Sequence, residues 1–549
     1  MPFSFLDIET RKTRRIILLF LTLLCFYFIG AILIYSVIRL EFPVDYIEGI
    51  PLKNLYTLPI MFKIFAAAFL VALIHWAYST INMVPKIISV IGAKPLDPED
   101  KYHLMLKNIM DEVATATGGM RIEPMVIYSG YCNAFALADF KGQTVIGVTE
   151  GLLSKVNRRQ LEAVIAHEAS HLVWGDCLLA TISCSVAGVY SGLFKMITSG
   201  WRGEGGAVYR RRSGGYAGAA GLLLIALIAF MKFLTLFLNT WISRERELRA
   251  DATAVRLTRD PLSLAESLYI ISGGWRGNQL PAEELAPIFI MTPRSSRLEE
   301  SSGFFANLFT THPPTKKRID ILLDMGHADF ETLKSGIKEK PRIQDEVPIS
   351  SSSNSKIWYT QNKEKRLGPF NLIDLSKLDW LTPFTLITTE NNKLAKPAHE
   401  YKEINAMLKK GLPFSIAVQT CPACEQGLER IYYEGVPIWR CNNCNGKLLK
   451  QSHLQRVIIR QEMECSQDIK KAIKEIKATA IQTKHKYVKT SPSSFKCPGC
   501  GEIMNRTFYM AILPYHLEIN ICHMCDLIWC GQNELEIIQC IIEEKSGYV

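Results

Sequence analysis

Apolar positions dominate the first half of the chain and thin out in the second. The run Ile16 to Ile38 carries no charge and is long enough to cross a bilayer. Arg11, Lys12, Arg14 and Arg15 precede it and no small-residue cleavage site follows, so it reads as an anchor with a cytosolic N-terminus. A second run, Ile64 to Val84, holds His75 as its one residue that titrates near neutral pH. His75 is either an intramembrane functional group or a packed helix residue, and packing is the simpler reading. Two weaker runs follow, Cys177 to Phe194 and Tyr216 to Ile242, the latter interrupted by Lys232. They form either a spanning pair or a hairpin that dips into the membrane. Spanning is the expectation, although it sends the loop with Arg202, Arg210, Arg211 and Arg212 outward, against the positive-inside tendency.

Between the second and third runs, Asn157 with Gln160 three residues on marks a helix start. Apolar residues recur at helical spacing, without proline, from there to Phe194. The second half is polar and lysine-rich. Residues 336–356, with Pro341, Pro348 and a serine run, read as a linker. Beyond it lie a small aromatic-containing module over 357–410 and two cysteine-rich segments, 418–455 and 495–549. A basic helical stretch over 456–494, with Lys470, Lys471, Lys474 and Lys477, connects them as a solvated helix, or touches anionic lipid.

At 549 residues the chain has room for three or four domains. Its net charge of +10 suits an anionic membrane surface, and no arginine-rich block points to nucleic acid. Eight of its 15 cysteines fall in C-x-x-C pairs, a spacing of metal ligands rather than of a disulfide framework. Such thiols need a reducing compartment, which places the C-terminal half in the cytosol.

His167 and His171, in His-Glu-Ala-Ser-His, lie four apart on one helix face and can point both imidazoles at one metal. Glu168 is out of ligand position but can take a proton from an attacking water. A catalytic zinc keeps three protein ligands and one open position, so a third must come from elsewhere. Past the fourth run, Glu247 and Asp251 are also four apart. One carboxylate could bind the metal while the other holds a ligand histidine by its free ring nitrogen. Alternatively both belong to a salt-bridged surface with Arg244, Arg246 and Arg249. A continuous helix would carry the chain about 16 Å from His167 to Leu178, putting the metal just outside the bilayer on the cytosolic side.

Six short motifs, in order, resemble the HtpX-like membrane metallopeptidases, of gluzincin type and more distantly related to CAAX prenyl proteases. They are Lys94-Pro-Leu-Asp with Asn133-Ala-Phe-Ala, Val148-Thr-Glu-Gly-Leu-Leu, the His167 helix, Ser243-Arg-x-x-Glu-x-x-Ala-Asp, and Thr311-His-Pro-Pro-Thr, within about residues 94–325. The resemblance implies that Glu247 is the third ligand and Asp251 its partner acid. It also implies that Asn133 and Ala134 lie on an edge strand that binds extended peptide by backbone pairing. Asn133 could instead make a turn. His312 could stabilise the oxyanion, or simply open a helix with Pro313 and Pro314.

Trp358-Tyr, Gly368-Pro-Phe, Trp380 and Lys396-Pro-Ala loosely resemble a GYF-type module. Its aromatics would then bind a proline-rich protein partner; as plain α+β structure they would form its core. Cys421, Cys424, Cys441 and Cys444 enclose 16 residues between pairs; Cys497, Cys500, Cys522 and Cys525 enclose 21. Each set can hold one structural zinc, and the repeat resembles transcription-factor zinc ribbons. Such ribbons serve protein contact as well as nucleic acid, and protein contact is the expectation here.

The expected fold is therefore mainly α: a multi-pass membrane zincin-type domain with a small edge sheet, then a small α+β module and two zinc ribbons. The expected activity is zinc-dependent cleavage of membrane or membrane-associated proteins, with one catalytic and two structural Zn2+ ions. A bacterial inner membrane follows from the resemblance, while the zinc-type thiols and the helix rise place the active site in the cytosol. The alternative is a membrane-anchored adaptor carrying an inert protease domain.

Overall fold

The protein is described by a computed structural model covering residues 5–41, 57–202, 244–273, 283–290 and 314–338, then 358–408 with short interruptions, 420–460, 465–482, 495–509 and 517–546. Two units emerge, Met1–Pro341 and Arg342–Val549.

In the first unit the two leading apolar runs form helices α1 (Phe5–Glu41) and α2 (Leu58–Thr80), packed together. Phe20 meets Trp76 edge-on at 5.4 Å, and the Tyr27 hydroxyl and His75 Nδ1 share a hydrogen bond of 2.8 Å. His75 is thus a packed helix residue. Phe62, Leu70 and Ile74 project outward from α2, leaving an apolar face of the kind lipid covers. Among the described residues α2 alone is long and apolar enough to cross a membrane by itself; the apolar stretch of α1, Ile16–Ile32, is shorter. Four crossings are therefore not what the described residues display, and the run Tyr216 to Ile242 lies outside them. The second run also ends early. Asn82 turns left-handed (φ 52°), and Met83 and Val84 begin a separate helix, α3 (Met83–Ile91), buried in the core.

A four-stranded sheet follows: β1 (Ala93–Pro95), β2 (Glu123–Ile127), β3 (Ala134–Ala138) and β4 (Thr144–Thr149), in the order β1-β2-β4-β3. Helix α4 (Lys101–Ala116) connects β1 to β2, capped by Asp100. Strand β4 hands over to α5 (Glu150–Lys155) and then α6 (Arg158–Val173). The Asn157 side chain accepts from Gln160 N, and the Gln160 side chain accepts from Asn157 N, both at 2.9 Å. This reciprocal cap contributes roughly 1 kcal/mol and fixes where α6 begins.

The helix does not continue to Phe194. It stops at Val173, and α7 (Asp176–Arg202) leaves at 82°. Gly175 is the cause. It sits at φ +70° and its N–H closes the last turn onto Leu172 O. The straight-helix estimate of the distance to the bilayer falls with it. Helices α8 (Arg244–Thr258) and α9 (Pro261–Gly273) pack on α6, and α10 (Thr315–Met325) packs on α9. Helix α11 (Phe330–Lys338) runs past residue 336, where the linker was expected to start.

The second unit opens with an antiparallel sheet of β5 (Trp358–Asn362), β6 (Lys365–Phe370), β7 (Leu386–Thr389) and β8 (Lys396–Pro397). Trp358 is a core residue there, packed with Leu375, Ile387, Ala398 and Ile404.

The two ribbons are not separate beads. Strands β9 (Leu428–Tyr433), β10 (Val436–Cys441) and β11 (Lys447–Lys450) belong to the first ribbon. Strands β12 (Asn505–Phe508), β13 (Glu518–Cys522) and β14 (Leu527–Cys530) belong to the second. They join through β11 and β14 into one sheet, β12-β13-β14-β11-β10-β9. The order is the same from either end, so the halves relate as two copies of one motif packed edge to edge. Helices α12 (Gln451–Arg460), α13 (Gln467–Gln482) and α14 (Glu534–Ser546) cover it. The lysine-bearing connector, α13, is no freely solvated helix. It buries Ile469 and Ile473 in the core shared by both halves, and a Cys465–Cys540 disulfide (Cα–Cα 6.0 Å) ties its start to α14.

Candidate metal centre and active site

Helices α6 and α8 cross so that the i, i+4 pairs of each face one another. The Glu247 carboxylate reaches toward both imidazoles, with Oε2 3.5 Å from His167 Nε2 and Oε1 3.5 Å from His171 Nε2. One donor atom from each of the three lies within 4.8 Å of the others. Behind them Asp251 Oδ1 stands 2.9 Å from His167 Nδ1, and Asp176 Oδ2 stands 3.8 Å from His171 Nδ1. Each of the two histidines thus has a carboxylate near its far nitrogen, where such an acid can orient the ring of a metal ligand.

Two further residues complete the site and were not singled out in the sequence. Arg318, fully buried on α10, donates from Nε to Asp251 Oδ2 at 2.8 Å and from Nη2 to Oδ1 at 2.7 Å. Its Nη1 lies 3.3 Å from Glu247 Oε2. Asp176, just past the Gly175 bend, accepts from Arg249 Nη2 at 2.8 Å and lies 3.8 Å from Arg246 Nη1. Arg249 also stacks over the Trp174 ring at 4.5 Å. The acids Glu247 and Asp251 are therefore interior groups, not a surface ion-pair face.

The electrostatics suit a cation. Burial would lower His167, but Asp251 and Glu247 outweigh it and raise the group to about 9. Burial raises Asp251 too, yet Arg318 and His167 hold it below the usual carboxylate range. Glu168 is raised to about 8, first by burial and then by the neighbouring Glu247. His167 Nε2 and Glu168 Oε1 are buried atoms with no hydrogen bond among the described residues. A buried nitrogen and a buried carboxylate oxygen left in this condition are what a metal ligand and a base awaiting substrate look like. The two-histidine, one-carboxylate set fits zinc.

A cavity opens over this point, walled by Glu168, His171, Glu247 and Arg246 on one side and by Ala136 of β3 on another. β3 is the edge strand expected from the sequence. Asn133 lies just before it and is buried. Its N–H donates to Thr149 Oγ1 at 2.9 Å, and its Oδ1 accepts from Ala134 N at 3.0 Å. Those bonds pin the start of the strand. His312 lies outside the described residues.

The ribbon cysteines converge as two sets of four. Sulfur separations are 3.5 Å for Cys421–Cys444, 3.4 Å for Cys424–Cys441 and 3.6 Å for Cys500–Cys522. Tetrahedral zinc with bonds of about 2.3 Å needs roughly 3.8 Å, so both sets fit. In all four knuckles the residue after the second cysteine is left-handed: Glu425, Asn445, Gly501 and Asp526. That turn lets both sulfurs of a pair face one point.

Comparison with known proteins agrees with this geometry. The family described as "Peptidase family M48" matches residues 101–325, and "Transcription factor zinc-finger" matches residues 420–460. A "Protease HtpX homolog" of Thermoanaerobacter pseudethanolicus is 36% identical over 256 residues, 46% of this chain and 81% of the relative. Another, of Caldanaerobacter subterraneus, is 38% identical over 260 residues, 47% of this chain and 82% of the relative. Among solved structures, the crystal structure of S. mikatae Ste24p matches 53% of this chain and 61% of its own, at 16% identity and a TM-score of 0.29. With more than four-fifths of each HtpX relative matched at over one-third identity, the chain belongs to the HtpX-like metallopeptidases of peptidase family M48.

Proposed function

We propose that this metallopeptidase cuts membrane and membrane-associated proteins, misfolded ones included, on the cytosolic side of the membrane. The observation that carries the reading is the buried Glu168 Oε1, without a hydrogen bond among the described residues, in the wall of a cavity beside three converging donors. His167, His171 and Glu247 would hold zinc. Zinc, when bound there, supplies Lewis-acid activation of water and of the scissile carbonyl. Glu168 takes the proton from the attacking water and passes it to the leaving nitrogen. Asp251 and Asp176 keep the two imidazoles turned to the centre. An extended segment of substrate adds to the edge of β3, and the outward apolar face of α2 keeps the site near bilayer-borne substrates.

Glu168→Gln tests this directly. The purified variant should keep its zinc and lose cleavage by about 10²–10⁴-fold; undiminished cleavage would sink the assignment. Zinc counting separates an assembled protease from an adaptor with a dead site. Three ions per chain support the first, and two the second.

Cytosolic placement is supported by the eight zinc-type thiols. One observation favours the opposite face: the Cys465–Cys540 disulfide, a bond rare in reducing compartments. Labelling intact cells with a membrane-impermeant thiol reagent decides between them. No reaction before permeabilisation supports the cytosolic side. For the GYF-like module and the ribbons, a protein partner is the reading we favour over nucleic acid.

A further inference from the structure

The outer edge of β3 already carries a strand-like guest from the chain itself. Phe289 pairs with Phe135 in an antiparallel bridge, and Ile290 N–H donates to the Ala134 carbonyl at 2.9 Å. The two phenyl rings lie 5.7 Å apart. Ile288, Phe289 and Ile290 are all buried. The same segment, Pro287 to Ile290, walls the cavity that holds Glu168, His171 and Glu247. An extended substrate adding to this edge needs the same main-chain acceptor and the same space. Guest and substrate cannot both be seated.

The attachment is also of a kind that can be undone. β3 is laddered to β4 along Ala134–Ala138, whereas on its other edge the guest makes a single bridge among the described residues. A short 3-10 helix, Glu283–Ile288, delivers the segment, and Pro287 inside it offers no N–H. Apolar contact does most of the holding, with Phe289 set among Phe135, Leu137, Leu285 and Cys184.

We propose that Pro287–Ile290 is an internal occupant of the substrate groove, which holds the peptidase closed until an extended substrate displaces it from β3. This rests on the peptidase reading above and adds its regulation. The segment is a competitor present at fixed effective concentration, so it raises KM without touching the chemical step.

The test uses the zinc-loaded full-length protein in detergent, with reduced, carboxymethylated lysozyme as the unfolded substrate. Ile290→Pro removes the N–H that bonds Ala134. KM should fall severalfold with kcat within twofold of the parent; an unchanged or raised KM in a variant that melts like the parent overturns the proposal. Because proline can disturb the fold, a second measurement uses Glu168→Gln protein, which binds without cutting. Amide exchange across residues 288–290 should quicken when the same substrate is added. Unchanged or slower exchange overturns the proposal independently. Absence of Glu168-dependent cleavage by the parent would instead overturn the peptidase reading.

Discussion

Arg318 grips Asp251 with two parallel hydrogen bonds, and Asp251 in turn stands 2.9 Å from His167. Helix α6, which carries the candidate metal ligands, is thus held from behind by a cation on α10, the helix that follows the His-Pro-Pro segment. Arg318→Met should strand Asp251 as a buried charge, lowering the stability of the first unit by about 3–5 kcal/mol. Zinc affinity should fall by about 10–100-fold. Arg318→Lys keeps the charge but loses the fork, so it should recover stability better than zinc affinity. Denaturant melts and chelator competition read the two effects separately. Equal zinc affinity in all three proteins would show that Asp251 orients His167 unaided.

The Gly175 bend is open to an equally simple test. Gly175→Ala puts a side chain at φ +70°, which costs about 1–2 kcal/mol. It also pulls on α7, whose Cys177 and Ala180 line the cavity. Zinc should be retained while kcat/KM falls. Gly175→Asn, better suited to a left-handed turn, should lie closer to the parent. Identical kinetics for Ala, Asn and parent would mean that α7 does not shape the groove.

The joined ribbons predict shared loss. Cys441→Ser should remove one zinc per chain. Because β11 pairs with β14, amide protection should fall in β14 of the other half as well as in β10 and β11. Loosening confined to the first ribbon would contradict the single-sheet description.

Lys447 and Glu536 form a buried ion pair across the same domain, with the lysine also 5.5 Å from the Tyr433 ring. Lys447→Met alone should cost about 3–5 kcal/mol, because Glu536 stays buried without its partner. The double change Lys447→Met with Glu536→Leu should recover most of that. Additive losses in a double-mutant cycle would show the pair to be uncoupled.

The candidate site was legible in the sequence wherever its parts are local. His167 and His171 announce themselves by spacing, and the Asn157–Gln160 cap by residue type. Glu247 and Asp251 carried the right spacing but allowed a surface reading, which only the crossing of α6 and α8 removes. Arg318 gave no signal, because its meaning depends on a partner 67 residues away. Gly175 ends α6 through its left-handed backbone, a stop hidden by the proline-free apolar periodicity that runs on to Phe194. Pro287–Ile290 is a short apolar stretch like many others, and nothing local says that it lies against β3. The cysteine spacing marked two candidate ribbons. It could not reveal that they share a sheet, because the β11–β14 register is a long-range pairing.

That pairing has a consequence for how the chain can be divided. Leu448 and Leu449 lie on β11, and Ile528 and Trp529 on β14, so the junction is apolar as well as hydrogen-bonded. A ribbon freed by truncation would present that strand bare, with main-chain donors and acceptors ready for any extended chain that arrived. Shortened proteins ending between the halves should therefore clump rather than merely lack a module. The β11–β14 pairing thus covers one strand edge of each half.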